Sequence, residues 1–128
     1  MTPDTPSPID RDRIRADLDA RRTALRAEVK AQLRGSGDDR VVGLRNRLDE
    51  NDDWAVADSL AELDIAGLRH ALLELTEVDA ALARLRDGSY GLCVDCGEGI
   101  APARLTAYPT ATRCLQCQQT HESRPTRT

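Results

Sequence analysis

Four cysteines are the residues whose type and spacing most clearly predict chemistry in this chain. They form two pairs, Cys93-Val94-Asp95-Cys96 and Cys114-Leu115-Gln116-Cys117, separated by residues 97–113. The two-residue gap within each pair lets both thiolates turn onto one ion, and Gly97 permits the tight turn after the first pair. The sequence therefore predicts one tetrahedral zinc ion, with all four cysteines as ligands.

Other uses of these thiols fit the sequence less well. Disulfides need an oxidising compartment, which no feature indicates, and a redox dithiol needs one exposed, activated pair rather than two. A catalytic zinc keeps an open coordination position, whereas four cysteines fill the shell. His121 is an alternative ligand on spacing alone, but we assign it to a polar tail that binds nothing. We therefore expect a structural zinc that supplies much of the folding free energy of this segment, with four side chains packed around it: Tyr90, Ile100, Leu105 and Tyr108.

The composition predicts helices around this module. The chain has 128 residues, of which 40% are hydrophobic but only 2% aromatic, and its abundant Ala, Leu, Arg, Glu and Asp are typical of long helices. No stretch approaches the ~20 apolar residues of a membrane span. Residues 1–10 lack the apolar region of a secretory signal, so we expect a soluble, cytoplasmic protein. Neither a nucleophile–base pair nor an open metal site is present, and we expect no catalytic activity.

Two leucine-rich stripes predict two helices. The first helix is expected to begin at Ser7-Pro8, with Asp10 closing a capping box, and to stop at Gly35 in a left-handed cap. The second is expected to run unbroken from Asp52 or Asp53 to residue 87, about 50 Å at 1.5 Å per residue, and to end at Gly88. The stripes consist of Ile14, Leu18, Leu25, Val29 and Leu33, and of Leu68, Leu72, Leu75, Val78, Leu82 and Leu85.

Each stripe is too narrow to be buried on all sides, so the two helices are expected to pair as an antiparallel hairpin, a coiled coil. Pairing with another chain is the alternative. Residues 35–52 are long for a structureless loop, and the spacing of Val41, Leu44 and Leu48 predicts a short helix near 39–49. The fold class is thus all-α. We divide the chain into a disordered start (1–7), a helical hairpin (8–87) with an acidic tip near 38–58, a zinc finger (88–117) and a flexible polar tail (118–128).

The charge is distributed unevenly along the chain. The net charge of −4 argues against generic nucleic-acid binding. Residues 38–64, here called the acidic segment, contain nine carboxylates and three arginines, which gives −6. A solvated linker would explain such a charge run. A linker would not hold these charges in a fixed position, however, whereas the end of a helical hairpin would.

The cysteine module lies within a longer pattern that resembles a known family. The pattern is Gly88-Ser89-Tyr90-Gly91-Leu92-Cys93-x-x-Cys96-Gly97-x-x-Ile100, followed by Arg104-Leu105-x-Ala107-x-Pro109-x-Ala111-x-x-Cys114-x-x-Cys117. It resembles the DksA/TraR C4 zinc-finger family over about half of the chain, with specific spacing.

The resemblance implies a coiled coil that enters the secondary channel of bacterial RNA polymerase and brings an acidic tip near the active centre. The family's tip pattern Asp-x-x-Asp-x-Ala falls on Glu50-x-x-Asp53-Trp54-Ala55, here called the tip motif. Asp53 and Ala55 match, while Glu50 replaces aspartate. Trp54 is either a tip contact or an ordinary hydrophobic staple at the helix start. The motif lies inside the acidic segment, so we prefer the tip interpretation to the linker.

The sequence also departs from this family. Gly35, Gly37 and Gly43 are expected to break or bend a first helix that usually continues to the tip. Members that respond to guanosine tetraphosphate have basic side chains near the finger–coil junction, where this chain has Glu77, Tyr108 and Gln118, so that nucleotide is not an expected ligand. The leading hypothesis is a monomeric transcription regulator bound to RNA polymerase without sequence-specific DNA binding. The alternatives are a zinc-containing adaptor and a nucleic-acid-binding zinc finger.

Overall fold

The computed structural model describes residues 9–123, and every regular element in that range is helical. An isolated bridge joins Leu92 to Gly99, and these residues form no β-strand. None of the described helices is both long and apolar enough to cross a membrane. The expected all-α class is confirmed. The helices are α1 (Arg11–Leu33), α2 (Asp39–Asn51), a 3₁₀ turn (Trp54–Val56), α3 (Ala57–Ala61), α4 (Leu68–Asp87), α5 (Pro102–Ala107) and α6 (Leu115–Ser123).

The described chain divides into two compact units, and α1 and α4 contribute residues to both. The hairpin unit consists of residues 19–79. The finger unit consists of residues 9–18 and 80–123.

In the hairpin unit, α1 and α4 pack antiparallel. Arg21 forms two hydrogen bonds to the Glu74 carboxylate, and Arg22 Nε donates to Asp79 Oδ1 at 2.8 Å. These pairs are partly exposed and each stabilises the fold by at most about 1 kcal/mol, so they set the register of the hairpin more than its stability. The stabilising core is aliphatic, as its sequence predicts, and comprises Val29, Leu33, Val41, Leu48, Val56, Leu60, Leu68, Ala71 and Leu72.

The ends of α1 differ in detail from their prediction. The helix begins at Arg11, and Asp10 Oδ1 accepts the backbone N–H of Arg13 at 3.0 Å. Asp10 is therefore the capping residue itself; Ser7 and Pro8 lie outside the described residues. The helix ends at Leu33, but the following Gly35 does not adopt a positive φ. The chain leaves the helix at the predicted place without the left-handed cap.

The expected short helix is present as α2. Asp38 caps it by accepting the Arg40 N–H at 2.8 Å, and the buried Val41 and Leu48 face the core. Gly43 lies inside this helix and does not interrupt it, so the expectation that it breaks a helix is wrong. Helix α2 is held by packing of its apolar face, which offsets the low helix propensity of one glycine.

The prediction of an unbroken second helix is wrong. The chain forms a 3₁₀ turn and α3, leaves helical geometry over residues 62–67, and resumes as α4 at Leu68. Gly67 has a φ of +81°, which a helix does not contain. The interruption lets Leu60 and Leu68, both fully buried, reach the same core from separate helices. Gly88 does end α4 in the left-handed region, as predicted, with a φ of +85°.

Two glycine substitutions should have opposite effects on stability. A Cβ at Gly67 would be strained by the positive φ and would lie 3.0 Å from Gln32 Nε2, so Gly67→Ala should destabilise the protein by roughly 1–2 kcal/mol. A Cβ at Gly43 would meet no atom within 4 Å, so Gly43→Ala should stabilise α2 by about 0.5–1 kcal/mol. Urea denaturation of both variants measures the difference. Equal stabilities would contradict the assigned break at Gly67.

The predicted N-terminal segment and the predicted polar tail lie at the two ends of the chain. Residues 115–123 form α6, so the polar tail predicted from residue 118 is helical as far as Ser123. The predicted disordered segment 1–7 and the remainder of the tail, residues 124–128, lie outside the described residues.

Candidate functional site

The four cysteine sulfurs of the finger unit converge on one point. Their Sγ atoms all lie within 4.8 Å of one another, and Cys96 Sγ is 3.9 Å from Cys114 Sγ. Four sulfurs around zinc at about 2.3 Å would lie roughly 3.8 Å apart, by tetrahedral geometry. The sulfur positions therefore fit one Zn²⁺, and the predicted cysteines are the ones brought together. His121 lies exposed on α6, outside this group.

The first cysteine pair lies in a tight turn. Cys93 N–H donates to Glu98 O at 2.8 Å, and Gly97 N–H donates to Cys93 O at 2.9 Å. Gly97 has a φ of +76°, so the turn predicted after this pair is confirmed. These bonds turn both thiols of the pair toward the same side.

The second pair is positioned by α6, which starts immediately after Cys114. The Cys117 N–H points to Cys114 Sγ at 3.4 Å, and Gln118 N–H donates to Cys114 O at 2.9 Å. Local helix formation thus orients the second pair.

Two contacts join the cysteine pairs. Val94 N–H donates to Thr112 O at 2.8 Å, and Arg113 Nε donates to Asp95 Oδ2 at 2.8 Å. Of the four side chains expected around the ion, Tyr90, Ile100 and Leu105 are buried. Tyr90 also donates its hydroxyl to Pro109 O at 2.8 Å, and burial raises the pKa of that phenol. The fourth expectation is wrong: Tyr108 is 55% exposed.

The thiols of this cluster have opposing ionisation tendencies. Desolvation opposes ionisation of Cys93. Hydrogen bonds from surrounding backbone N–H groups, of which that of Cys96 has the largest effect, nevertheless lower the pKa of Cys93 to about 6. Hydrogen bonding with the Cys114 thiol, and with those of Cys93 and Cys96, raises the pKa of Cys117. Adjacent thiolates repel one another, so a divalent cation is the group that lets all four ionise together.

The tip motif lies where α2 ends. Asp52, the C-cap of α2, adopts the left-handed conformation with φ 50° and ψ 39°. Asp53 then caps the 3₁₀ turn by accepting the Ala55 N–H on Oδ1 at 3.2 Å, whereas the sequence predicted such a cap at the start of a long helix. The second oxygen, Oδ2, accepts a hydrogen bond from Arg47 Nη2 at 2.8 Å. Both oxygens of Asp53 are therefore engaged within the hairpin unit.

Trp54 is held inside the unit rather than displayed. Its ring packs against the aliphatic core, and its Nε1–H donates to Asp52 Oδ1 at 2.9 Å. The Arg26 guanidinium lies over the ring, 4.6 Å from its centroid. Of the two roles considered for Trp54, these contacts match the packing role.

The position of the tip motif along the hairpin differs from its prediction. Helix α2 folds back along α1, with Lys30 Nζ 3.7 Å from Asp49 and Arg26 Nη1 3.7 Å from Asp52. Seven residues, or roughly 10 Å at 1.5 Å per residue, separate Arg26 from the end of α1. The motif therefore lies beside α1 and not at the extreme end of the hairpin.

Three residues that position the tip motif were not predicted to do so from the sequence: Arg26, Arg47 and Asp52. Asp52 was considered only as a possible helix start, and the arginines belong to helices rich in that residue. No local signal distinguishes them, because each acts through a contact with another element or turn.

Comparisons with known proteins agree with this geometry. A family model described as the prokaryotic dksA/traR C4-type zinc finger matches residues 88–123. The "RNA polymerase-binding transcription factor DksA" of Caulobacter vibrioides is 50% identical over 50 residues, covering 39% of this chain and 35% of that protein. The "General stress protein 16O" of Bacillus subtilis is 35% identical over 63 residues, covering 49% and 37%. The chain thus matches only about a third of the length of these curated relatives.

Similarity to a solved structure extends further along the chain. The structure of transcription factor DksA2 from Pseudomonas aeruginosa matches with a TM-score of 0.58 and 28% identity, covering 88% of this chain and 82% of that one. Together with the four converging sulfurs, the family match supports one structural zinc. Residues 88–123 of this chain match the DksA/TraR C4-type zinc finger, in agreement with the resemblance seen in the sequence.

Proposed function

We propose that this chain is a transcription regulator that binds bacterial RNA polymerase and inserts its hairpin unit into the secondary channel. The observation that carries the proposal is the combination, in one chain, of the DksA/TraR zinc finger with the tip motif of Glu50, Asp53, Trp54 and Ala55. The motif lies far outside the matched finger and inside the acidic segment, so it is independent support. The names of the Caulobacter and Pseudomonas proteins agree with this class.

The mechanism we propose is electrostatic. The zinc holds the finger unit folded, and the hairpin unit carries the acidic segment toward the catalytic magnesium and the basic side chains around it. Carboxylates placed there would favour one polymerase conformation over another and so change the lifetime of promoter complexes. Glu50 is exposed and has no ion-pair partner among the described residues, whereas Asp53 meets Arg47. Asp53 would act after exchanging that arginine for a group on polymerase.

The proposed role requires neither catalytic activity nor recognition of a DNA sequence. A filled four-cysteine shell supplies no open metal position, and we propose a regulator without catalytic activity of its own. We also propose that it works as a monomer in the cytoplasm, where polymerase is located, and that it reads no DNA sequence.

Site-specific cross-linking tests the binding mode. Glu50 is exposed and unpaired among the described residues, so a photoreactive amino acid at position 50 should leave the fold intact. We expect it to cross-link purified RNA polymerase at segments around the catalytic magnesium. The matched control places the same group at the exposed position 122 of α6 and should not label those segments. Failure of the wild-type protein to co-purify with polymerase would reject polymerase binding, while labelling elsewhere would reject channel insertion.

Guanosine tetraphosphate should not enhance the effect of this protein on polymerase. The positions that correspond to basic residues in responsive members are Glu77, Tyr108 and Gln118, and none of them offers a cation to the phosphates. Gln118 donates instead to Glu122 Oε1 at 3.3 Å. Transcription from a sensitive promoter, titrated with protein at fixed nucleotide, measures the response. A tenfold shift in apparent potency would contradict the correspondence of these positions.

A further inference from the structure

The Trp54 side chain of the tip motif, Asp52 within the same segment and Arg26 of α1 form a closed set of contacts. The Arg26 guanidinium lies 4.6 Å from the Trp54 ring centroid, the Trp54 Nε1–H donates to Asp52 at 2.9 Å, and Arg26 Nη1 is 3.7 Å from the same Asp52 carboxylate oxygen. Each member therefore contacts the other two. We call this set the Arg26 latch.

The latch joins parts of the chain that are distant in sequence. Arg26 lies within α1, whereas Asp52 and Trp54 flank Asp53 in the turn after α2. The Arg26 side chain is only 22% exposed, and its Nε is buried with no hydrogen-bond acceptor in the described structure. The aromatic ring and the Asp52 carboxylate are thus the groups that compensate the buried part of this cation.

The turn needs such support because its backbone is strained. Asp52 has a positive φ of 50°, a conformation that costs free energy for a residue with a Cβ and persists where surrounding contacts determine it. Asp53, which follows at once, is also held by Arg47, but Arg47 lies in α2, only six residues earlier in the chain. Arg26 alone among these partners comes from α1, so it fixes the turn against the helical hairpin.

We propose that Arg26 is a positioning residue for the regulator: through Trp54 and Asp52 it fixes the tip motif beside α1, in the geometry that acts on polymerase. This inference rests on the proposed function. It assigns Trp54 to holding Asp53 and Ala55 in place, and it assigns no contact with polymerase to Arg26 itself.

A spectroscopic test of the latch is independent of polymerase. Trp54 is the only tryptophan of the chain, so its fluorescence reports this cluster alone. Arg26→Gln should shift the emission to longer wavelength and increase quenching by acrylamide, with zinc content and far-UV circular dichroism unchanged. Arg26→Lys, which keeps the cation, should restore most of the wild-type spectrum. Arg34→Gln removes the same charge from an exposed position just after α1 and should change neither signal.

The same three variants are then compared in a transcription assay. A cation–π contact together with an ion pair shifts an equilibrium by roughly tenfold, so Arg26→Gln should require about tenfold more protein for half of the effect. Arg26→Lys should recover it in part, and Arg34→Gln should behave as wild type.

The outcomes separate the two proposals. An inactive wild-type protein would reject the proposed function, and the fluorescence arm would still decide whether Arg26 orders the turn. With an active wild type, unchanged potency of Arg26→Gln would overturn the positioning role. Increased potency would overturn it as well, because the latch would then restrain the tip motif. Unchanged fluorescence of Arg26→Gln would reject the latch itself.

Discussion

Cys93→Ser should release the zinc ion and unfold residues 88–123. Serine is a poor zinc ligand, and structural zinc in small modules contributes about 10–16 kcal/mol, which is folding free energy. The segment is too short to be stabilised by its buried apolar side chains alone. Elemental analysis should give one zinc per wild-type chain and less in the variant, together with a loss of near-ultraviolet signal from Tyr90. Residues 19–79 have a separate core, so we expect their helical signal to persist.

The matched control for this experiment is His121→Ala. His121 was the alternative ligand on sequence spacing, but it lies outside the cluster of four sulfurs, so its loss should leave zinc content and folding unchanged. Zinc near zero in the wild-type protein, with four thiols titratable in the native state, would contradict the assignment of the metal centre.

Asp53→Asn should abolish most of the effect on transcription while leaving the fold intact. Asparagine caps helices as well as aspartate, so its side-chain oxygen can still accept the Ala55 N–H. The substitution removes the charge proposed to act near the catalytic magnesium. Losing one partner of a buried charge contact costs about 2–5 kcal/mol, so we expect a loss of tenfold or more in transcriptional effect. Binding to polymerase through the rest of the hairpin unit should change much less.

The structure supplies a control for this variant. Asp53→Asn also breaks the ion pair with Arg47. In that pair the Arg47 side chain is 56% exposed and the Asp53 side chain is 30% exposed. Such a pair stabilises the fold by about 1 kcal/mol or less. Arg47→Gln breaks the same pair and keeps the Asp53 charge, so it should retain activity. Equal losses in both variants would mean that the local pair, and not the carboxylate, is required.

Ala55→Thr tests the shape of the tip motif without changing its charge. Ala55 is exposed, so the larger side chain meets solvent in the free protein and should not affect stability, zinc content or helicity. At a polymerase surface the same bulk should prevent close approach and reduce transcription as strongly as Asp53→Asn. Polymerase affinity and transcript yield, measured for the same proteins, separate binding from action. Wild-type activity in both tip variants would make the acidic segment an ordinary solvated surface.

The sequence by itself determined the features that depend on residues close together in the chain. The two-residue spacing of each cysteine pair, with Gly97 after the first, predicted the turns that orient the thiols, and the structure has them. The leucine stripes predicted α1 and α4, the short stripe of Val41, Leu44 and Leu48 predicted α2, and Gly88 predicted the end of α4. Helix periodicity, capping and tight turns act over a few residues, so a single sequence contains the information for them.

Only the tertiary structure decided how the acidic segment is arranged. The break before Leu68 and the return of α2 along α1 depend on packing of side chains that are far apart in sequence, as in the core shared by Leu48, Leu60 and Leu68. The contacts of Arg26 with Asp52 and Trp54 likewise span more than twenty residues. Local propensity disfavours a long continuous helix here only at Gly67, and one glycine does not decide between a continuous helix and this broken one, as Gly43 inside α2 illustrates. The difference is the burial of apolar surface between elements, which has no signature at any one position of the chain.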